Sequence, residues 1–403
     1  MYETDGINQE RQQQLNRSLA ISLLRQEGIC TRSELAALSG LNPATITNII
    51  NEFISCGLVI ETGTLSGRKN RRAIGIRLNG ESLRVIGVML TRRHYYVLSM
   101  GLSGELYDTK QYQIKDRFDA SGTIADIKND IQAAINDSSE NKVLAVGVAM
   151  PGPYMPTRRE MLFLINLPYW DSVSIYNEFQ KGFSIPVFIA NDANAGAYAQ
   201  MLYREAKPQA KNLVYIVAGQ GIGCGMIVNG NIICGAMGLA GEIGHTSINL
   251  DGNLCECGNR GCLETYCSTI ALEKKLKECV QNGEETTLGN NFVWDDVVNA
   301  VRSGDKLACR EYKAACRYLA AGIVNIINQI NPEVVVIGDQ LAEAQPGLML
   351  EIINSHIKKT VRPFISDELK IEINDLKVNP ALVGAAVIAA QEIYKDPFQY
   401  LKS

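Results

Sequence analysis

The sequence predicts an α/β protein in which an N-terminal winged helix-turn-helix precedes a two-lobed α/β body. Three observations carry this expectation. Residues 15 to 57 space three amphipathic helices as a helix-turn-helix does. In the remainder, an order of three strands, a helix and a further strand occurs twice. Between the strands of the second set, Gly241 to Glu264 gathers one of only 3 histidines with three closely spaced cysteines, the composition of a metal-centred loop. At 403 residues the chain is long for one core. The expected boundaries are residues 1–80 for the head, 81–190 together with 382–403 for the first lobe, and 191–381 for the second.

The head opens with a helix over Leu15 to Gln26, where Leu15, Leu19, Leu23 and Leu24 fall at helical spacing and Gly28 closes the element. Thr31-Arg32-Ser33-Glu34 has the form of a capping box, so a second helix starts there, with Leu35 and Leu38 as its buried face. Gly40-Leu41 makes the turn, Asn42 caps a third helix with Pro43 at its first position, and Gly57 ends it. In that helix Ile46, Ile49, Ile50 and Phe53 stand at i, i+3, i+4 and i+7. Thr45, Thr47, Asn48 and Asn51 are thereby directed largely away from the core. These short, uncharged hydrogen-bonders suit base edges or phosphates in a groove. Two strand-like runs follow, Leu58 to Glu61 and Ala73 to Leu78. The segment joining them carries Arg68, Lys69, Arg71 and Arg72, a basic wing tip beside the third helix.

Charge supports a DNA-reading head. The whole chain carries −4, yet residues 1–80 hold nine Lys and Arg against seven Asp and Glu, leaving −6 on the rest. The 11 cysteines argue for buried thiols and one metal cluster rather than a disulfide framework. No uninterrupted apolar run is long enough to span a bilayer, and the first residues lack the basic and apolar parts of a signal peptide. The expected location is cytoplasmic, without a membrane partner.

After a linker near Asn79-Gly80, strands are expected over Leu83 to Leu90, His94 to Met100 and Glu105 to Ile114. A helix with Ile124, Ile127, Ile131 and Ile135 and a buried strand, Val143 to Ala149, come next. The second set runs Leu213 to Ala218, Gly225 to Val228 and Asn231 to Cys234, then a long helix around Cys309 to Gln329, then Val334 to Ile337. A last helix, Leu382 to Tyr394, is expected to return to the first lobe, and a cleft between lobes is where such proteins take a ligand. The metal ligands are His245, Cys255, Cys257 and Cys262: one imidazole and three thiolates make a closed structural zinc site, with Gly252, Gly258 and Gly261 permitting the turns.

The runs G-E-I-G-H and C-E-C-G-N-R-G-C-L-E resemble the signature of the ROK family, which unites sugar-binding transcriptional repressors with sugar kinases. Residues 15 to 78 also resemble the DNA-binding head of the family's repressor branch. The resemblance implies a ribonuclease-H-like, actin and sugar-kinase type of body, and it implies that Glu242, His245 and Glu264 face a sugar. One ring nitrogen of His245 would bind zinc while the other meets a hydroxyl. Asn166 matches a further family sugar contact. Pro186 to Asn194 reads as a strand running out into Asn191-Asp192, where the kinases carry the aspartate that acts as general base on a sugar hydroxyl.

On the phosphate side the sequence departs from the kinases. Where those enzymes have a Gly-x-Asp-x-Gly-Gly-Thr run, this chain reads Gly87-Val88-Met89-Leu90-Thr91-Arg92-Arg93; the carboxylate and both later glycines are gone. The second phosphate loop persists in part as Gly219-Gln220-Gly221-Ile222-Gly223, and Ile337-Gly338-Asp339-Gln340 lacks the kinases' glycine run. The expectation is a non-enzymatic, sugar-responsive repressor. Its partners would be operator DNA, a small sugar effector and a second copy of the chain, in a homodimer or dimer of dimers. The alternative is a bifunctional kinase and regulator with Asp192 as base.

Overall fold

The computed structural model describes residues 9–66, 72–91, 93–116, 118–137, 141–155, 158–161, 170, 173–203 and 210–401. The chain forms two compact units, Met1–Asp192 with Leu382–Ser403, and Ala193–Ala381.

The first unit begins with the head: α1 Gln9–Glu27, β1 Cys30–Thr31, α2 Arg32–Ser39, α3 Pro43–Ser55, β2 Val59–Ser66 and β3 Arg72–Leu78. Local chemistry sets each boundary. The Thr31 hydroxyl accepts from the Glu34 N–H at 3.2 Å while the Glu34 carboxylate accepts from the Thr31 N–H at 2.8 Å, the reciprocal cap expected from sequence. Gly40 turns the chain in the left-handed region at φ 68°, and the Asn42 side chain accepts from the Ala44 N–H at 2.8 Å to start α3 behind it. Ile46, Ile49, Ile50 and Phe53 are buried as the spacing requires. In α1 and α2 the buried faces include Leu24 and Leu35 as expected but otherwise differ. Leu15, Leu19 and Leu38 are exposed, and the contacts are made by Ala20, Ile21, Leu24, Leu35 and Ala36. A count of leucines misjudges the stripe because Ala20 and Ala36, small enough for close helix approach, carry part of it. Strands β2 and β3 pair antiparallel with a bulge between Glu61 and Thr64, and β1 adds to the outer side of β3.

The body of the first unit is a five-stranded sheet of β4 Leu83–Leu90, β5 His94–Gly101, β6 Leu106–Gln113, β7 Lys142–Met150 and β10 Val187–Asn191, in the order β10-β7-β4-β5-β6. A small hairpin, β8 Tyr154–Met155 with β9 Glu160–Met161, hangs from it, and α4 Ala120–Asp137 and α5 Ile175–Gln180 cover one face. The second unit starts with α6 Asp192–Tyr203 and has a sheet of β11 Leu213–Ala218, β12 Ile222–Val228, β13 Asn231–Ile232, β14 Val334–Gly338 and β15 Lys370–Ile373, in the order β13-β12-β11-β14-β15. Its helices are α7 Glu264–Cys267, α8 Thr269–Gln281, α9 Trp294–Ser303, α10 Lys306–Ile330, α11 Gln340–Ala344, α12 Pro346–Thr360 and α13 Pro363–Ser366. The chain then returns to the first unit as α14 Pro380–Lys395 and α15 Phe398–Leu401.

The two sheets share one plan. In each, the first three strands form an antiparallel meander and two further strands add in parallel beyond the first. Strand β15 escaped the sequence reading because K-I-E-I is short and alternates charge on an edge. Strand β12 starts three residues earlier than expected, at Ile222, because its glycines disguise it. A side chain on Gly225 would put its Cβ 2.4 Å from the Ala193 carbonyl, so the glycine is what lets α6 lie on the sheet. Gly147 does the same in the first sheet, where a Cβ would stand 1.8 Å from the Ala385 carbonyl of α14. No helix among the described residues is long and apolar enough to cross a membrane.

Candidate metal centre and ligand-facing residues

His245 ends a single 3-10 turn, Ile243–His245, that follows Glu242, while the three cysteines lie on the loop that leads into α7. Gly261, at φ 70°, could carry no side chain, since its Cβ would fall 1.7 Å from the Asn249 carbonyl. Isolated bridges Ser247 to Cys262 and Leu254 to Arg260 fold the loop back on itself, and the Gly258 N–H donates to the Cys255 carbonyl at 3.0 Å in the tip. The result is that the ligand atoms of His245, Cys255, Cys257 and Cys262 all lie within 4.8 Å of one another. His245 Nδ1 is 3.7 Å from Cys255 Sγ, and Cys257 Sγ is 3.6 Å from Cys262 Sγ. A tetrahedral zinc with ordinary bond lengths separates its ligand atoms by about 3.6–3.8 Å. The donor set therefore fits that ion in type, number and separation. Burial pushes the thiols of Cys255 and Cys262 up, whereas the backbone N–H of Asn259 pulls that of Cys257 down. Cys267, the next cysteine along the chain, is fully buried and its thiol donates to the Leu263 carbonyl at 3.4 Å.

Two carboxylates flank the imidazole. Glu264 Oε1 lies 3.4 Å from His245 Nδ1, and Glu242 Oε2 lies 4.0 Å from Nε2. Burial pushes the Glu242 carboxyl up. Glu242, His245 and Glu264 are thus one cluster of the second unit. Asn191 and Asp192 belong to the first unit, at the junction of β10 and α6; the Asn191 amide donates to the Gly152 carbonyl at 3.0 Å and ties this strand end to the loop after β7. Asp192 is the first residue of α6, where the helix dipole favours a carboxylate. Asn166 lies outside the described residues.

Two positions in the segments set against the kinases' phosphate loops, Thr91 and Gly219, are engaged within the chain. Thr91 ends β4, and its N–H donates to the His94 carbonyl at 2.8 Å while its hydroxyl donates to the same oxygen at 2.8 Å, closing the turn into β5. In the second unit, a Cβ on Gly219 would lie 2.2 Å from a carboxylate oxygen of Asp339. Asp339 itself sits at φ 76°, ψ −178°, a region adopted almost only by glycine. Its other oxygen accepts from the Gln340 N–H at 2.7 Å, starting α11. Sequence spacing gave no sign of this carboxylate against the glycine loop, because the two are brought together only by the parallel pairing of β11 and β14.

On the head, Thr47, Asn48 and Asn51 are exposed on α3 and Thr45 is half-buried. Thr47 is not wholly free, since its hydroxyl donates to the Pro43 carbonyl at 2.8 Å. Arg32, which the sequence reading did not select, reaches the Asn51 side-chain oxygen at 3.5 Å and Glu61 at 2.9 Å, bringing a guanidinium to the edge of this face. Its place depends on α2 packing against α3, which only the fold reveals. Arg68, Lys69 and Arg71 lie outside the described residues; Arg72 begins β3.

Comparison with known proteins completes the description. The ROK family model matches residues 88–392. A xylose repressor of Caldicellulosiruptor bescii is 29% identical over 396 residues, covering 95% of this chain and 97% of that protein. Among solved structures, a ROK family transcriptional regulator described as a homolog of the E. coli MLC protein superposes with TM-score 0.83 at 26% identity, covering 97% of this chain and 99% of that one. A ROK family glucokinase from Streptomyces griseus, solved with glucose and AMPPNP, superposes with TM-score 0.64 at 25% identity and covers 76% of this chain and 99% of its own. The coverage by the regulator is too complete to omit the head.

Proposed function

This chain belongs to the ROK family, and from that premise we propose that it is a DNA-binding transcriptional repressor whose body senses a sugar. One observation carries the reading: a winged helix with an uncharged polar face on α3 and a ROK body occur in one chain, and the likeness to a solved regulator spans both. In this reading Thr45, Thr47, Asn48 and Asn51 meet the bases or nearby phosphates, and Arg68, Lys69, Arg71 and Arg72 hold the adjoining backbone. A symmetric pair of chains reads a roughly two-fold symmetric operator, because one short helix specifies only a few base pairs.

Sugar contacts are assigned to Glu242, His245 and Glu264, and by the same resemblance to Asn166, Asn191 and Asp192. Carboxylates and an imidazole bond sugar hydroxyls in a directional way, and leaving them unpaired is costly, which supplies selectivity. His245, Cys255, Cys257 and Cys262 would hold a structural zinc, which fixes the His245 ring through Nδ1 and leaves Nε2 beside Glu242. Kinase activity is excluded from this reading: the Thr91 N–H is committed to the His94 carbonyl, and the Asp339 carboxylate would repel a phosphate approaching Gly219.

The test starts from duplexes selected out of a random pool by the purified chain, with their affinity then measured in the presence and absence of xylose, glucose and other common sugars. One sugar should weaken operator binding, and Glu242→Ala should abolish that response while leaving ligand-free DNA binding intact. A chain that enriches no duplex, or a sugar response untouched by Glu242→Ala, would overturn the assignment.

A further inference from the structure

The three cysteines of the candidate metal centre differ in how far solvent reaches them. Cys255 and Cys262 are buried, whereas Cys257, between them on the loop, is exposed; among the described residues, which include all 11 cysteines, it is the one exposed thiol. Its neighbours leave the approach open. A Cβ built on Gly258 would meet nothing within 4 Å, and Glu256 and Asn259 are exposed. The set also divides into two groups. Cys255 Sγ faces His245 Nδ1 at 3.7 Å and Glu264 Oε1 at 3.2 Å, while Cys257 Sγ and Cys262 Sγ face each other at 3.6 Å. One exposed thiol therefore stands against one buried thiol.

Backbone contacts keep this pair together. The Cys255 N–H donates to the Asn259 carbonyl at 2.8 Å and Leu254 bridges to Arg260, so the chain doubles back around Cys257. A bond between the two sulfurs would close only the short loop Gly258-Asn259-Arg260-Gly261, whose glycines stand at φ 89° and 70° and lend it freedom to adjust. Coordination to zinc removes a thiol's proton, and the thiolate is the nucleophilic form. Oxidation follows thiolate character and exposure, and a sulfenic acid beside a second thiol condenses to a disulfide. Cys257 meets the first two conditions as a zinc ligand at the surface, and Cys262 supplies the second thiol.

We propose that Cys257 is a site of oxidative modification, at which hydrogen peroxide joins Cys257 to Cys262 and the zinc is released. The Cys257 thiolate attacks one peroxide oxygen; the O–O bond breaks, hydroxide leaves, and the sulfur becomes a sulfenic acid. The Cys262 thiolate then attacks that sulfur, the S–S bond forms, and a second hydroxide leaves. Two electrons have passed from the two thiolates to the peroxide. Only His245 and Cys255 remain as ligands, half of the set that a closed site requires. The inference rests on the sugar-sensing role proposed above and deepens it by naming a regulation of that same site. Without the metal the His245 ring is no longer fixed beside Glu242, so oxidation uncouples operator binding from the sugar. The alternative is that zinc shields all three thiolates alike and the centre is structural only.

Zinc-loaded full-length chain is treated with stoichiometric hydrogen peroxide, and two quantities are followed: zinc captured by a chromogenic chelator, and the cysteines still open to alkylation, mapped by mass spectrometry. The expected result is release of about one zinc per chain in step with a Cys257–Cys262 disulfide. Dithiothreitol with added zinc should reverse it, and the effect of sugar on operator affinity should be lost on oxidation and regained on reduction. Cys257→His, which keeps a ligand at this position without a sulfur to oxidise, should hold its zinc through the same treatment; release at the wild-type rate would overturn the assignment. Should that variant bind no zinc, a chain carrying Cys56→Ser, Cys234→Ser and Cys309→Ser, which lacks the half-buried thiols, is read instead. Release at the wild-type rate then supports Cys257, and zinc retained overturns it. A wild-type chain that holds no zinc, keeps it through the treatment, or releases it with Cys257 and Cys262 both still open to alkylation would equally overturn the inference. An untreated, zinc-loaded chain that selects no duplex or shows no sugar response fails the proposed function instead, while the chelator and alkylation readouts still decide the modification.

Discussion

His245 has two ring nitrogens in two settings, with Nδ1 3.7 Å from Cys255 Sγ and Nε2 4.0 Å from Glu242 Oε2. In the proposed reading, a metal on the first nitrogen would fix the tautomer and the ring plane, and so would place Nε2 for a ligand without touching the ligand. We expect about one tightly held zinc per chain, measured by elemental analysis after washing with chelator. Cys257→Ser should lose the metal and weaken sugar binding together. Metal-free protein in which Cys257→Ser leaves sugar binding unchanged would remove the site. The grouping of the four candidate ligands was legible in the sequence because the histidine and three cysteines are clustered within eighteen residues, a pattern that core packing alone does not produce. Asp339 was not legible. Its importance lies in a glycine-only conformation and in contact with Gly219, more than a hundred residues earlier, and neither leaves a local mark.

Elements were read best where their ends carry chemistry. The Thr31 box, the Asn42 cap and Gly40 gave the boundaries of α2 and α3, while β15, with no such signal, was missed. The long helix α10 shows what one cap can do. Asp305 precedes it; one carboxylate oxygen accepts from the Ala308 N–H at 2.8 Å, and the other accepts from the Thr287 N–H at 2.7 Å and from the Thr286 hydroxyl at 3.0 Å. Burial alone would push this carboxyl up, but the N–H groups of Ala308 and Thr287 and the two threonine hydroxyls outweigh it, and the net direction is down. A group whose folded pKa lies below its unfolded one adds stability above the unfolded value and loses it as pH falls through the folded value. Asp305→Ala should therefore cost about 1–2 kcal/mol at neutral pH, and Asp305→Asn should flatten the acid limb of stability. Urea unfolding at neutral and acid pH checks both; parallel pH profiles for wild type and Asp305→Asn would refute the cap's role.

At the scale of the molecule, the repeated plan was legible as an order of elements, and the strand order β13-β12-β11-β14-β15 matches β6-β5-β4-β7-β10 position for position. What the sequence could not show is how the shared plan has been put to different use. The Thr91 N–H is taken up in closing its own turn, and a carboxylate oxygen of Asp339 stands against Gly219, two features that disfavour phosphate at these loops. We expect no sugar-dependent ATP hydrolysis or sugar phosphorylation in a coupled assay, with the S. griseus glucokinase as the positive control. Turnover that disappears in Asp192→Asn would restore the bifunctional reading.

The return of the chain to its first unit also sets a timetable. Residues Ala193–Ala381 stand between the strands of the first sheet and the helix that covers Gly87 and Gly147. During synthesis the head and that sheet leave the ribosome early, yet α14 follows only after an entire second unit has been translated, and domains tend to fold as units in the order they emerge. A chain interrupted within the second unit thus carries a first sheet whose face at Gly87 and Gly147 is uncovered. Such a fragment is a natural target for proteolysis. Translation of α14 is therefore the step that completes the first unit.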